Sequence, residues 1–544
     1  MTFVPPNGDT DHPSGSSTPQ AQARLVRLHD DDNVGIATEM LMPGQSVAIP
    51  PPADPSSSTG NTIVVCQRIP PGHKMAIAPI DADTDVRKYG QRIGKATQPI
   101  RVGDHVHDHN LADDHRIAVR VDNRHPPQRP TPIRATFQGY HRPGGKVGTR
   151  NYVGLIATVN CSASVCHAVL KRFDDDRLAR WPNVDGVFVA THTTGCALRY
   201  GGQKHEMLGR VLSGYARHAN VAGCLMIGLG CEQTTAGYLA EHHQMVSLYG
   251  PDGRQLTRDD GVPMIVMQTE GGTRATIEKA DALLEQVLDR ANACRRAPVD
   301  ASHLSVALEC GGSDAYSGWT ANPAVGAAAD RFVACGGSAV ISETTELYGA
   351  EHLLVDRSRS DDVANALLDK IRWWKEHVAM FGGQIDNNPS VGNKAGGLTT
   401  ITEKSLGAVC KSGSTTLQAV YDYAQRIDRA GLSVMDSPGF DPASVTGKVA
   451  GGCNLVLFTT GRGSCFGCKP VPVIKIASNS DLFHRMREDM DVNAGDIADG
   501  HSVDQVGQRI FEFSLDVASG RKTSSEELGI GDHEFIPWTV GPTL

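Results

Sequence analysis

The sequence predicts a multidomain α/β protein: a small β-rich N-terminal domain followed by two α/β units. Three observations carry this. From about Thr136 onward, apolar runs alternate with helical stretches, and each run ends in a Gly-rich or polar turn, the rhythm of a parallel sheet. Before that point the pieces are short and strand-like, without long helical periodicity. Glycine is abundant (58 residues) and aromatic content is low (5%), which suits many tight strand–loop–helix turns. A chain of 544 residues is long enough for about three or four domains.

The elements follow in order. Residues 1–22 are rich in Pro, Ser, Gly and Asp and predict a disordered tail. Residues 23–111 predict the β domain, with strands in "ARLVRLH", "TIVVCQRI", "KMAIAPI" and "RIGKAT" and an exposed loop at "IPPPADPSSSTGN". Residues 112–135 are polar and Pro-rich and predict a linker. The central unit, 136–298, has strands in "YVGLIATVNCSAS", "VDGVFVATHTTGC", "VAGCLMIGLGCEQTT" and "VPMIVMQTEGGT". The rhythm breaks near "NACRRAPVDASH". The second unit, 299–544, then supplies "LSVALECGGSDAYSG", "GSAVISETTELYG", "GCNLVLFTTGRGSCFG" and "VPVIKIASNS", a helix in "DDVANALLDKIRWWKEHVAMFG" and a long loop, "DNNPSVGNKAGGLTT".

Composition narrows the function classes. A net charge of −9 argues against non-specific nucleic-acid binding. The 13 cysteines are an odd number scattered through a long chain, unlike a secreted disulfide scaffold. No signal-peptide pattern is present in the N-terminal stretch, and apolar runs stop at about ten residues, well short of a membrane span. A cytoplasmic enzyme acting on a small molecule is the expectation, with no membrane or nucleic-acid partner and with a homo-oligomer, a dimer, as the assembly.

The unusual residues cluster after the apolar runs, at the predicted carboxyl ends of strands, where ligands bind in open α/β sheets. His192, Cys196, Cys231, Cys310 and Asp314 all lie there. Tight turns account for Gly and Asn, but they do not require Cys or His. In the β domain, "GDHVHDHN" puts His105, His107 and His109 at alternate positions, on one face of an extended strand. That pattern fits either a metal cage or a solvated edge. "GLGCEQ" lacks the G-x-G-x-x-G spacing, so no dinucleotide site is inferred. "CFGC" (Cys465, Cys468) is a lone C-x-x-C and a weak sign of zinc or redox work.

Several long motifs occur in a fixed order. They are "GYHRPGGKVGTRNYVGLIATVNCSAS", "GLGCE", "ECGGSDAYSGWTANPAVG", "ETTELYGAEHLL", "NNPSVGNKAGGLTT" and "FTTGRGSCFGCKPVPVIKIASNS". Together they resemble the galactarate/altronate dehydratase family. "DNVGIATEMLMPGQ", "GHKMAI", "KYGQRIG" and "GDHVHDHN" look like its SAF-type β domain. The likeness runs from Arg24 to about Gly500. It implies an SAF-like domain, two Rossmann-like units, and dehydration of a sugar acid to a 2-keto-3-deoxy acid with help from a divalent metal, Fe²⁺ or Mn²⁺. A related two-subunit sulfolactate sulfo-lyase family implies a rival elimination, and a non-catalytic sugar-acid binding protein is a rival of another class. Val391 stands where the family pattern has Pro, and "ALRYGGQKHEM" after "THTTGC" departs from it too.

Removing a proton α to a carboxylate requires a cation on the carboxylate, a placed base and help for the leaving hydroxide. His192 is the candidate base, on the family pattern H-x-x-G-C. Lys394 in "GNKAGG" is its rival, or else a carboxylate clamp. Asp314 of "GGSD" completes the catalytic set. Arg150, Asn393, Arg462 and Ser313 are the candidate substrate-binding residues, with Lys146 a further cation beside Arg150. The metal has two candidate homes. One is His73 with His107 and His109. The other is Cys196, Cys231 and Cys310, whose thiolates suit an iron–sulfur cluster with one open iron. Asp108 alternates to the opposite strand face and is left out.

Overall fold

The computed structural model describes residues 25–49, 62–113, 130–243, 246–247, 262–385 and 388–541. The predicted tail, and most of the predicted exposed loop and linker, lie outside these residues.

The N-terminal domain is built from short antiparallel strands: β1 (Leu25–Val26), β2 (Val34–Ala37), β3 (Ser46–Ala48), β4 (Thr62–Val64), β5 (Lys74–Ala76), β6 (Asp85–Lys88), β7 (Gln91–Ala96), β8 (His105–Val106) and β9 (Leu111–Ala112). They form small sheets in the orders β1-β2-β5-β8, β6-β7-β9 and β3-β4. Leu25, Leu41, Val47, Ile69 and Met75 pack in its own small core. Val86, Ile93 and Ile100 instead join the large core shared with the C-terminal unit. The domain is therefore docked on the C-terminal unit by apolar packing.

β10 (Thr136–His141) and β11 (Val147–Gly148) lead into the central unit, whose strands are β12 (Tyr152–Ala157), β13 (Gly186–Ala190), β14 (Val221–Gly228), β15 (Val246–Ser247) and β16 (Val262–Val266). The sheet is parallel, in the order β13-β12-β14-β16-β15. β12 is buried along its whole length, as its sequence YVGLIA requires of a strand covered on both faces. Val153, Leu155 and Ala157 point into one core, and Tyr152 and Ile156 into the other, the period-two alternation of a strand.

The break at "NACRRAPVDASH" is itself a strand, β17 (Arg296–Asp300), which pairs antiparallel with β10 so that Tyr140 faces Arg296. The C-terminal unit follows, with β18 (Ser305–Cys310), β19 (Ser338–Ile341), β20 (Leu417–Tyr421), β21 (Gly431–Met435), β22 (Leu455–Thr460), β23 (Val473–Ala477) and β24 (Val492–Asn493). They form one parallel sheet in the order β20-β21-β19-β18-β22-β23-β24. The predicted helix is present as Asp361–Met380. Ser360 caps its N-terminus, two aspartates occupy its first turn, and Ala364, Leu367, Ile371, Trp374 and Val378 form its buried stripe.

Both α/β units reverse strand order around their first strand. β12 has β13 on one side and β14 on the other, and β18 has β19 and β22. The loops after those strands border the crevices where such folds bind ligands.

Candidate active site

Two groups of side chains occupy the two crevices. The larger lies where the β domain meets the C-terminal unit. His73 Nδ1 is 3.0 Å from His105 Nε2. The His73 and His107 rings stack at 4.9 Å, and His105 and His107 at 5.4 Å. His107 Nε2 lies 3.0 Å from the Lys394 carbonyl oxygen and His73 Nε2 lies 3.4 Å from that of Ala395. The imidazoles are thus backed by the loop of "GNKAGG". Burial, reinforced by the neighbouring imidazoles and Lys74, pulls the ring pKa values down, to about 4 for His73 and about 3 for His105, and in the same direction for His107. Neutral imidazole is the form that ligates metal.

This corrects the expected ligand set. β8 ends at Val106, and residues 107–110 turn, because the Asn110 side-chain oxygen accepts the His107 N–H at 2.9 Å. His109 is exposed, 5.5 Å ring to ring from His105, whereas His105 joins His73 and His107. The same turn swings Asp108 to the cluster side. Its carboxylate pairs with Lys394 Nζ at 3.1 Å and lies 3.8 Å from His107 Nδ1. Strand alternation, applied across a turn, misplaced both residues.

The loop under the imidazoles is built for close approach. Ser390 caps the short helix Val391–Ala395 and Asn393 returns the bond, a reciprocal capping box. Val391 is its first residue and is 88% exposed, so the missing Pro removes no packing there. Gly397 has φ +96°, and a Cβ on it would sit 2.6 Å from the Gly72 carbonyl oxygen. Only glycine lets the two backbones meet. Below them, Lys74 Nζ donates to the Gly397 carbonyl oxygen at 2.8 Å and pairs with Glu403 at 2.9 Å, and Lys88 pairs with the same carboxylate at 2.8 Å, all buried. Burial alone would raise the Glu403 pKa, but the two ammoniums hold it well below the usual carboxylate range. Tyr316 Oη donates to the Thr38 carbonyl oxygen at 2.8 Å.

The expected roles divide. Lys394 carries an amine 38% exposed that borders a small cleft with Asp108, Asp113, Pro389 and Thr400. Arg462 is exposed beside the Gly312 turn, its backbone N–H bonded to the Gly312 carbonyl at 2.9 Å. Asp314 is buried, and its carboxylate accepts from Ser317, from Ser478 Oγ at 2.8 Å and from Asn479 Nδ2 at 3.0 Å. Both of its oxygens are thus bonded to neighbouring loops. Asn393 spends its side chain on Ser390 and on the Ser313 backbone carbonyl at 2.8 Å, which fixes the Ser313 loop.

Two expected binders are structural. Arg150 is buried, pairs through two nitrogens with Glu526 at 2.7 and 2.8 Å, and donates to the carbonyls of Thr149, Val517 and Arg521. Lys146 Nζ donates to the Arg217 carbonyl at 2.8 Å.

Beneath the β18 crevice lies a network that sequence reasoning missed. Lys448 pairs with Glu309, Lys411 with Glu343 at 3.2 Å, and Lys404 with Glu346 at 2.7 Å, all buried. Glu343 sits in the left-handed region, φ 60°, a strain tolerated only where surroundings enforce it. Burial and the neighbouring Glu343 push the Glu309 pKa far up, while the lysines pull Glu343 down against its own burial. Burial and the nearby Glu343 and Glu346 raise Asp441 to about 7. Cys310 belongs here, 3.4 Å from Glu343, and not with Cys196 and Cys231, which follow strands of the other sheet. Cys310, Glu343 and Glu346 are close enough to share a cation, but three ammoniums already supply the positive charge. The motif "ETTELYG" was the available signal.

The second group follows β12, β13 and β14. His192 is buried in it. Its Nε2 bonds the Ala157 carbonyl at 3.0 Å and its Nδ1 accepts from the Thr194 N–H at 3.2 Å. Burial lowers its pKa to about 4. Both nitrogens are engaged, and the ring ties the β13 loop to β12.

Three family models match the chain in succession: the altronate/galactarate dehydratase SAF domain over residues 23–114, the D-galactarate dehydratase/altronate hydrolase second domain over 139–292, and the D-galactarate/altronate dehydratase C-terminal domain over 301–543. The chain is 34% identical over 524 residues to galactarate dehydratase (L-threo-forming) of Escherichia coli (strain K12), covering 93% of this chain and 95% of that one. The chain belongs to the galactarate/altronate dehydratase family. Altronate dehydratase of Bacillus subtilis (strain 168) is 32% identical over 507 residues, 92% of this chain and 96% of that relative. The (2R)-sulfolactate sulfo-lyase subunit beta of Chromohalobacter salexigens is 32% identical over 412 residues, 74% of this chain and 96% of that subunit. This member of the family is a hydro-lyase with an N-terminal SAF domain. Among the described residues no helix is long and apolar enough to cross a membrane.

Proposed function

We propose that this chain dehydrates a sugar acid of the galactarate or altronate class to a 2-keto-3-deoxy acid, at the junction of the SAF domain and the C-terminal unit. One observation supports this placement above the others: His73, His105 and His107 converge on the loop that carries Lys394. A neutral imidazole set backed by carbonyl oxygens is the usual surrounding of a metal-ligating histidine. Two ring nitrogens 3.0 Å apart suit neighbouring positions on one ion with bonds of about 2.1 Å. His73 and His105 would hold Fe²⁺ or Mn²⁺, with His107 and Asp108 at the edge of the site, and the bound ion would supply Lewis acidity to substrate oxygens.

The protein's own groups divide the remaining work. Lys394 handles the α-proton, its amine held at the cleft by Asp108. Arg462 offers a guanidinium fork to a substrate carboxylate. Asp314, Asn393 and Glu403 position the loops without touching substrate. The dehydratase relatives match this chain as single polypeptides over 92% and 93% of its length, whereas the sulfo-lyase matches are divided between a β subunit over 74% and an α subunit over 8%; the single-chain likeness supports dehydration over sulfite elimination.

The test is a keto-acid assay with semicarbazide over a panel of aldarates and aldonates. Turnover of at least one, abolished by chelation and restored by Fe²⁺ or Mn²⁺, is expected. Full turnover by metal-free protein would refute the metal role, and no product from any sugar acid would refute the substrate class.

A further inference from the structure

The crevice of the central unit has no part in the reaction just proposed, yet three exposed cysteines border it. Cys161 follows β12, Cys196 follows β13 and Cys231 follows β14, three adjacent parallel strands meeting at the switch in strand order. We propose that Cys161, Cys196 and Cys231 bind an iron–sulfur cluster of the [4Fe–4S] type through three thiolates, leaving one iron without a protein ligand.

The backbone draws these loops together. Asn160 N donates to the Thr194 carbonyl at 2.9 Å, and Gln233 N donates to the Gly195 carbonyl at 2.9 Å. Each bond lies within two residues of a cysteine on either side. Gly195 has φ +103°, and a Cβ on it would sit 2.6 Å from the Thr158 carbonyl oxygen, so the approach of the β13 loop to the β12 loop depends on glycine. Ala197, next to Cys196, is held in the left-handed region at φ 56°, which a non-glycine residue adopts only under constraint. The Cys196 thiol contacts that of Cys161 and feels Cys231. Cys161 lies in the first turn of the 11-residue helix Asn160–Leu170.

The donor set selects the ligand. A structural zinc site needs four closed ligands. Here the nearest other donors are occupied. His192 spends both nitrogens on Ala157 and Thr194, and the Glu232 carboxylate accepts from Thr158 Oγ1 at 2.8 Å and from Gly230 N. Cys166 points into the apolar core on the same helix, where burial pushes its pKa up to about 12. Three thiolates with an open fourth position match a cluster whose free iron takes an oxygen ligand.

The experiment is anaerobic purification of the full-length protein, with iron and acid-labile sulfide measured per chain. The expected result is about four sulfides per chain and about four irons beyond any held by the imidazoles, with the broad visible absorption of sulfide-to-iron charge transfer. Cys161→Ser, Cys196→Ser and Cys231→Ser should each lose most of the sulfide, while Cys66→Ser, on the β domain surface, should keep it. Iodoacetamide labelling of unmodified protein removes dependence on the variants' folding: the three thiols should be protected in the cluster-loaded protein and react after the cluster is stripped. Bound iron or zinc without sulfide, a Cys161–Cys196 disulfide, or sulfide retained by the triple variant would each overturn the proposal.

Discussion

His107 Nε2 lies 3.0 Å from the carbonyl oxygen of Lys394, across 287 residues of sequence. The bond ties the last turn of the SAF domain to the residue whose amine borders the cleft. The imidazole cluster and the Lys394 loop are therefore joined directly, and substitutions in either test the same proposed site.

The base assignment separates two residues. Lys394→Met should lower turnover and the exchange of the substrate α-hydrogen with D₂O by about 10²–10⁴-fold, the usual loss for general-base removal. His192→Asn should leave exchange within a few-fold of normal, because neither ring nitrogen is free. The reverse pattern would return the base role to His192.

Metal content distinguishes His105 from His109. His105→Ala and His73→Ala should each lose most of the bound Fe²⁺ or Mn²⁺ on dialysis, and His109→Ala should retain it. Equal loss in His109→Ala would mean that the turn at residues 107–110 rearranges when metal binds.

Arg150 should report on stability, not affinity. Arg150→Met leaves Glu526 buried without its partner, which typically costs about 3–5 kcal/mol. Urea unfolding should show that loss, while the KM of the remaining folded protein stays near the original value. A selective rise in KM would restore Arg150 as a substrate clamp.

Asp441 sets a pH dependence. Its folded carboxyl keeps the proton to about pH 7, against the ordinary aspartate value of 3.8. The folded state binds the proton more tightly, so this contribution is complete below pH 3.8 and disappears as pH rises through 7. Asp441→Asn should therefore be more stable than the original protein at pH 8, by roughly 2–4 kcal/mol. Below pH 4 the two should converge. Thermal unfolding across that range measures it, and a pH-independent gap would mean that the proton sits elsewhere in the Glu309–Glu343 network.

Much of the architecture was legible because it is written locally. An apolar run such as YVGLIA can only be a covered strand, and the Gly-rich turns after such runs marked the ends that border the crevices. The site was less legible. His109 and Asp108 were misjudged because a single asparagine, Asn110, ends the strand and reverses the alternation. Cys310 was grouped with Cys196 and Cys231 because sequence order does not reveal which strands are neighbours: β13 and β14 share one sheet and β18 lies in another. Arg150 read as a clamp because its partner, Glu526, is 376 residues away. Lysine–glutamate pairs buried beneath a crevice leave no periodic trace, so the network around Glu309 and Glu343 emerged only in three dimensions.

The pairing of Tyr140 with Arg296 brings the entrance and exit of the central unit side by side. Residues 142–295 thus enter and leave through one doorway, but their inner face also packs into the core shared with the C-terminal unit, where Arg150 reaches Glu526. The module with the three thiols is therefore fastened twice, at its entrance and along an apolar face, so cutting it out would strip the cover from the seven-stranded sheet's own side chains.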